Sequence, residues 1–152
     1  MKKLPYVEGS VILVPLRNGG FARGVVARSR PTGKILLGYF CGPRRASIDE
    51  ANFNDLDPSR AILRIRFGHL GLINGKWQVR GTLPTWDRDH WPMPDFVRRD
   101  PLGILKPRLV RHSNVDPLVI EAEYVIDNDM ELEVDSLYGA GAVEIKLTKL
   151  LK

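Results

Sequence analysis

The densest group of reactive side chains lies between Trp86 and Trp91, which reads Trp-Asp-Arg-Asp-His-Trp. Two carboxylates and a histidine within four residues are ligand types of a metal site. Because prolines recur through residues 82–107, no shared helix or strand face aims these ligands at one point. Tryptophan and arginine are enriched at interface hot spots, so Trp86, Asp87, Arg88 and Trp91 are candidate partner-binding residues. The alternative is a solvated loop that the two tryptophans hold in place.

A nucleophilic site would need Cys41, the single cysteine, beside one of the histidines His69, His90 and His112. Cys41 ends an apolar run and none of these histidines belongs to a recognisable catalytic motif, so we expect a buried structural cysteine. A single cysteine also excludes an internal disulfide. The segment 75–77 (Gly-Lys-Trp) lacks the pattern of a nucleotide-binding loop. We therefore predict no enzyme activity, no cofactor and no bound metal.

The charge of the chain is divided along its length. Of the net +5, residues 1–115 contribute 20 basic and nine acidic side chains, and residues 116–152 contribute three basic and nine acidic ones. Residues 116–135 alone hold eight acids and no base. Basic residues favour nucleic acid, whereas an acidic block repels it and attracts a basic protein surface. The function therefore depends on whether the acidic segment stands apart from the basic one.

Four glutamates concentrate the acidic charge on two predicted strands, residues 118–127 and 130–134, in which they alternate with apolar residues that should point inward. These candidate partner-binding residues are Glu121, Glu123, Glu131 and Glu133. If the two strands pair as a hairpin, like charges face each other, and a basic partner or a cation would relieve the repulsion. The alternative is an acidic edge that blocks strand aggregation.

Arginine provides a second candidate surface. In residues 61–67 apolar side chains alternate with Arg64 and Arg66, which predicts a half-buried strand with a basic outer face. Further arginines could extend this face into the binding surface of a small nucleic-acid-binding module. They are Arg44, Arg45, Arg98, Arg99, Arg108 and Arg111. Such surfaces usually interleave aromatic residues for base stacking, and here the aromatics lie elsewhere, so a solvated face is the alternative.

The elements that must position these residues are mostly strands. The N-terminal third alternates apolar runs with turns that contain glycine, which predicts an antiparallel meander. Gly24 and Gly38 inside these runs favour bends, as a sheet that curls towards a barrel requires. The predicted strands are residues 10–16, 21–28, 35–41, 61–67, 118–127 and 130–134.

The remaining segments are predicted to be a loop and a helix. Residues 82–107 should form a long ordered loop packed down by Trp86, Trp91, Met93 and Phe96. At the C-terminus, Asp135 or Ser136 is a candidate N-cap, and apolar residues then recur at helical spacing. They are Ala140, Val143, Leu147, Leu150 and Leu151. We predict a single α+β, mostly β domain over residues 1–152: a strongly bent antiparallel sheet, barrel or half-barrel, with the C-terminal α-helix packed on it.

The sequence predicts a cytoplasmic protein without a membrane partner. The longest apolar stretch, residues 11–14, is far shorter than the roughly 20 residues that cross a bilayer. Lys2 and Lys3 could begin a secretion signal, but Pro5 and Glu8 interrupt the apolar core that such a signal needs.

Four segments in order, residues 7–26, 72–81, 92–96 and 137–147, carry a resemblance to a known family. With their glycine-containing motifs, such as Leu-Tyr-Gly-Ala-Gly-Ala-Val-Glu-Ile-Lys-Leu at 137–147, the chain resembles the immunity protein 26 family of bacterial polymorphic toxin systems. The resemblance implies a non-enzymatic protein that binds and neutralises a cognate toxin domain encoded beside it. That toxin is often thought to be a nuclease. Inhibitors of nucleases are commonly acidic, so the basic net charge of this chain departs from what a nuclease inhibitor would be expected to show.

Overall fold

The computed structural model describes residues 3–47, 53–128 and 131–152. Its strands are β1 (Ser10–Pro15), β2 (Phe21–Ser29), β3 (Ile35–Arg45), β4 (Ala61–Gly68), β5 (Gln78–Thr82), β6 (Asp95–Arg98), β7 (Arg108–His112), β8 (Ile120–Val125), β9 (Glu133–Val134) and β10 (Leu137–Tyr138). Its helices are α1 (Leu70–Ile73) and α2 (Ala140–Leu150), with short 3-10 helices at Pro58–Arg60 and Arg88–His90. Sheet 1 has the order β10-β4-β3-β2-β1-β5, and sheet 2 has the order β8-β7-β6-β9.

Sheet 1 is built from the predicted meander, in which β1 to β4 pair antiparallel with their neighbours. Strands β1 to β3 are buried on both faces because each face is covered by a separate core. Ile12 and Val14 enter one core, which also contains Trp77, and Val11 enters the other, which also contains Trp91. Successive residues of one strand, which point to opposite faces, are therefore both buried.

The glycines in these strands have a packing role. A Cβ atom at Gly24 would lie 2.7 Å from the Phe40 ring, and one at Gly38 would lie 2.7 Å from the Phe67 ring. Only glycine leaves room for the two aromatic rings to pack this close to the strand backbone. The mostly β fold with a C-terminal helix is confirmed, but the described strands form two sheets and no closed barrel.

Helix α2 packs on sheet 1 through Val143 and Leu147, as the helical spacing predicts. Leu150, by contrast, lies on the exposed side of the helix. The predicted N-caps are wrong, because β10 intervenes and the helix begins after Gly139. Glu144 ties the helix to the core, since its carboxylate accepts a hydrogen bond of 2.8 Å from Nε1 of the buried Trp77.

Sheet 2 corrects two predictions. Strand β6 lies inside the region expected to be a loop, and the two strands predicted to carry the acidic residues do not pair with each other as a hairpin. Instead β8 pairs antiparallel with β7, and β9 pairs parallel with β6. The register places Glu123 beside Val110 and Glu133 beside Phe96, so two strands separate these glutamates. At about 14 Å, or three strand spacings, their repulsion is largely screened.

Candidate partner-binding surface

A buried ion cluster joins the two sheets. Asp135 accepts hydrogen bonds from Arg66 of β4 at 2.9 Å, from Arg98 of β6 at 2.7 Å and from His112 of β7 at 2.7 Å. Its side chain is 1% exposed. Burial alone would raise the pKa of Asp135, but the hydrogen bonds from His112 and Arg98 and the charge of Arg66 lower it to about 2. The carboxylate is therefore charged at every physiological pH.

The acidic segment folds against basic residues and does not stand apart. Glu123 lies 3.1 Å from Arg108, and Glu133 lies 3.6 Å from Lys146 of α2. Arg66 is buried and pairs with Asp135. Of the two arginines that were predicted to form an exposed basic face, only Arg64 is exposed. That residue lies over the ring of Tyr39.

The residues between Trp86 and Trp91 close one of the cores. Trp91 is 1% exposed and contributes to the core beneath the loop, and Trp86 packs so closely on Gly9 that a Cβ there would lie 2.7 Å from its ring. Arg88 donates to Glu8 at 2.8 Å and to the carbonyl of Asn114. These contacts confirm that the tryptophans pin the loop.

Asp87 and its neighbours do not converge as metal ligands. Asp87 caps the 3-10 helix that follows it, accepting from the Asp89 amide at 3.1 Å. His90 turns away to Asp57, with 2.9 Å between Nε2 and Oδ1. The described residues contain no group of three or more histidine, cysteine, aspartate or glutamate side chains that could hold a metal ion.

Cys41 is buried, as the sequence predicts. Its side chain belongs to the core beneath the loop, and burial raises the pKa of its thiol to about 11. A thiol with this pKa is protonated near neutral pH, whereas the thiolate is the nucleophilic form. Cys41 is therefore a poor nucleophile.

Sequence reasoning missed the exposed apolar residues of sheet 2. Most of the exposed large apolar side chains of the described residues lie between 102 and 134. We define the edge surface as six of them: Leu102, Ile104 and Leu105 in the β6–β7 loop, and Ile120, Tyr124 and Val125 on β8. The loop residues are 79%, 78% and 73% exposed. Since successive side chains of a strand point to opposite faces, Tyr124 and Val125 lie on the two sides of this edge. Exposed apolar patches mark interaction sites on soluble proteins. The signal in the sequence is an apolar triplet inside a proline-rich loop.

The β6–β7 loop is held in shape by Asp100. Its carboxylate accepts hydrogen bonds from the amides of Leu105 at 2.9 Å, Ile104 at 3.0 Å and Leu102 at 3.1 Å. The bonds from Leu105 and Leu102, in that order, lower the pKa of Asp100. The loop also adjoins the end of β8, because the Ile126 amide donates to the carbonyl of Pro107 at 3.0 Å. The apolar side chains are therefore presented on an ordered backbone, which lowers the entropy cost of binding.

Residues 7–106 match the family model described as Immunity protein 26. The chain belongs to the immunity protein 26 family. The matched range contains three of the four segments that carry the resemblance, and residues 137–147 lie outside it. Comparisons with curated proteins and with solved structures find no match. Membership in the family indicates a role in neutralising a toxin.

In this member of the immunity protein 26 family, a polar depression brings together two of the predicted binding segments. Asp89 of the Trp86–Trp91 loop and Glu121 of β8 line it, together with the buried Arg28 and with His112. The other predicted glutamates lie elsewhere, Glu131 in a turn and Glu133 on β9. None of the helices in the described ranges has the length and apolar character needed to cross a membrane.

Proposed function

We propose that this chain neutralises its cognate toxin without catalysis, by binding the toxin domain directly through the edge surface as a single domain. The exposed apolar triplet of Leu102, Ile104 and Leu105 carries the proposal. Apolar side chains at such exposure are unfavourable in a protein that acts alone, and the Asp100 hydrogen bonds keep them ordered. The surface therefore has the properties of a preorganised hot spot.

The predicted partner-binding residues fall into three groups under this proposal. Glu121 and Glu123 lie on β8, the strand that contributes to the edge surface, and would contact the toxin directly. Asp87 and Arg88 precede Asp89, which lines the polar depression, and they would form part of the rim. Trp86, Trp91, Glu131 and Glu133 would act indirectly, the tryptophans by holding the loop.

We further propose that the toxin is a nuclease, as the family resemblance implies. Nuclease active sites are basic because they bind phosphates, and an acidic strand would be attracted to them. The nucleic-acid-binding alternative gains no support from the described contacts. Arg66 is buried against Asp135, and Arg108 and Arg111 are paired with Glu123 and Asp95.

Co-expression with the toxin domain encoded by the adjacent gene tests the function. The wild-type chain should restore growth and form a complex on gel filtration. Replacing both Leu102 and Ile104 with Asp should weaken toxin binding roughly 10- to 100-fold, because hot-spot residues lose their desolvated contacts. Leu70→Asp is the matched control, since Leu70 is 63% exposed but lies on α1.

Three outcomes would contradict the proposal. Failure of the wild-type chain to protect cells or bind the toxin would refute neutralisation by binding. Equal losses in the loop variant and in Leu70→Asp would refute the edge surface. Turnover of the toxin or its product by the purified chain would refute a non-catalytic role.

A further inference from the structure

The second sheet ends in an unusually open edge. Strands β9 and β10, which also lie at sheet edges, have two residues each, whereas β8 has six. The remaining edge strand, β5, pairs with β1 through a shifted register and contains Gly81 at a φ of +99°. Proteins usually protect edges by shortening, bending or adding lysine and proline. Among the described edge strands, β8 is the longest, and although it carries two glutamates and a register shift beside Ile120, its residues Ala122 to Val125 keep a regular register with β7.

The backbone of β8 presents unpaired groups in a regular pattern. Ile126 donates to Pro107, and the register runs unbroken from Val125 opposite Arg108 to Ala122 opposite Arg111. In an antiparallel ladder, alternate residues bond to the partner strand. The amides and carbonyls of Glu123 and Val125 therefore point away from β7, where an added strand could bond to them.

The charge of β8 determines which strand fits. A strand added to this edge would lie about 5 Å from β8 and about 10 Å from β7. The added strand would therefore lie closer to Glu121 and Glu123 of β8 than to Arg108 of β7. The charge of Glu121 acts on Arg111 of β7, but the Arg111 guanidinium is already paired with Asp95 at 2.9 Å. Opposite charges on directly paired strands stabilise a sheet, so a basic added strand would be favoured beside Glu121.

We propose that β8 binds an extended, basic segment of the toxin by strand addition, so that sheet 2 continues into the toxin. The inference rests on the proposed function and adds the mode of recognition. Backbone hydrogen bonds from Glu123 and Val125 hold the added strand, and lysine or arginine of the toxin pairs with Glu121. Tyr124 and the apolar loop pack against its side chains.

A proline at position 125 tests the strand addition. Val125→Pro removes an outward amide and leaves every bond of β8 to β7 in place, because proline is tolerated where the amide faces solvent. Val125→Thr keeps the amide and the branched shape, so it is the matched control. With the adjacent-gene toxin domain as probe, calorimetry should show binding weakened roughly tenfold or more for the proline variant only. Unchanged melting temperatures would show that both variants are folded.

The charge is tested separately with Glu121→Gln, which should weaken binding severalfold at low salt and much less at high salt. Equal binding by Val125→Pro and Val125→Thr would overturn strand addition and leave the proposed function intact. Absence of binding by the wild-type chain would overturn both. A wild-type dimer that only Val125→Pro dissociates would assign the edge to a second copy of the chain and refute its assignment to the toxin.

Discussion

Replacing Asp135 with Asn tests whether the buried ion cluster holds the two sheets together. The substitution keeps the shape of the side chain and removes its charge, which leaves Arg66 and His112 buried without their anion. Breaking a buried pair in this way costs about 3–5 kcal/mol. We therefore expect the free energy of unfolding, measured by urea denaturation at pH 7, to fall by that amount.

The pH dependence provides an independent measure of the same interaction. The pKa of Asp135 is about 2 in the folded chain, below its ordinary value of 3.8, so folding favours the carboxylate. The resulting stabilisation, about 2 kcal/mol, is complete above the unfolded pKa and is lost as the pH falls towards 2. The difference in stability between wild type and Asp135→Asn should shrink by about 1 kcal/mol between pH 6 and pH 3.

Asp127→Asn is the matched control for this experiment. Asp127 belongs to the same acidic segment and pairs with Lys106 at 3.0 Å, but its side chain is 91% exposed. A surface ion pair contributes below about 1 kcal/mol, and it is screened by salt. If Asp135→Asn is no more destabilising than Asp127→Asn, or if its effect does not depend on pH, the cluster does not hold the sheets together.

Two further predictions concern the core beneath the Trp86–Trp91 loop. Gly9→Ala should lower the melting temperature more than Gly81→Ala, because both glycines have positive φ but only at Gly9 would the new methyl group meet Trp86; equal losses would refute close packing as the cause. Cys41 should resist a thiol reagent at pH 8 in the folded chain and react fully in urea, because it is buried with a pKa of about 11. Rapid labelling of the folded chain would show that the core opens.

Strands β1 to β4 of sheet 1 were predictable because their signal is local, whereas β5 and the two-residue β10 of the same sheet were not predicted. Apolar runs and glycine turns identify β1 to β4 within a few residues, and helical spacing identifies α2. Strand β6, of four residues, was not predictable, because prolines precede and follow it and its stability comes from pairing with β7 and β9. A strand of four residues between prolines is too short to show a recognisable alternation of apolar and polar residues.

The pairing of the acidic strands was also beyond the sequence signal. Alternation predicts that apolar residues of 118–127 point to a core, but Tyr124 lies on an edge strand and is exposed. The register places arginines of β7 beside this strand, where the sequence favoured a second acidic strand. Asp135 was predicted as a helix cap because aspartate is common there, and its role in the ion cluster depends on residues distant in sequence. Of the edge surface, only Leu102, Ile104 and Leu105 carry a local signal in the sequence, and their proximity to β8 depends on the pairing of β7 with β8.

The separation of 69 residues between Arg66 and Asp135 affects how the chain folds during its synthesis. A chain folds from its N-terminus as it leaves the ribosome, so the meander of sheet 1 can form while the rest is still being synthesised. Arg66 can pair with its carboxylate, and β4 with β10, only after the residues about 69 positions further along have been synthesised. Contacts over such separations form slowly. We expect the two sheets of a newly synthesised chain to join only after residues 135–138 have left the ribosome.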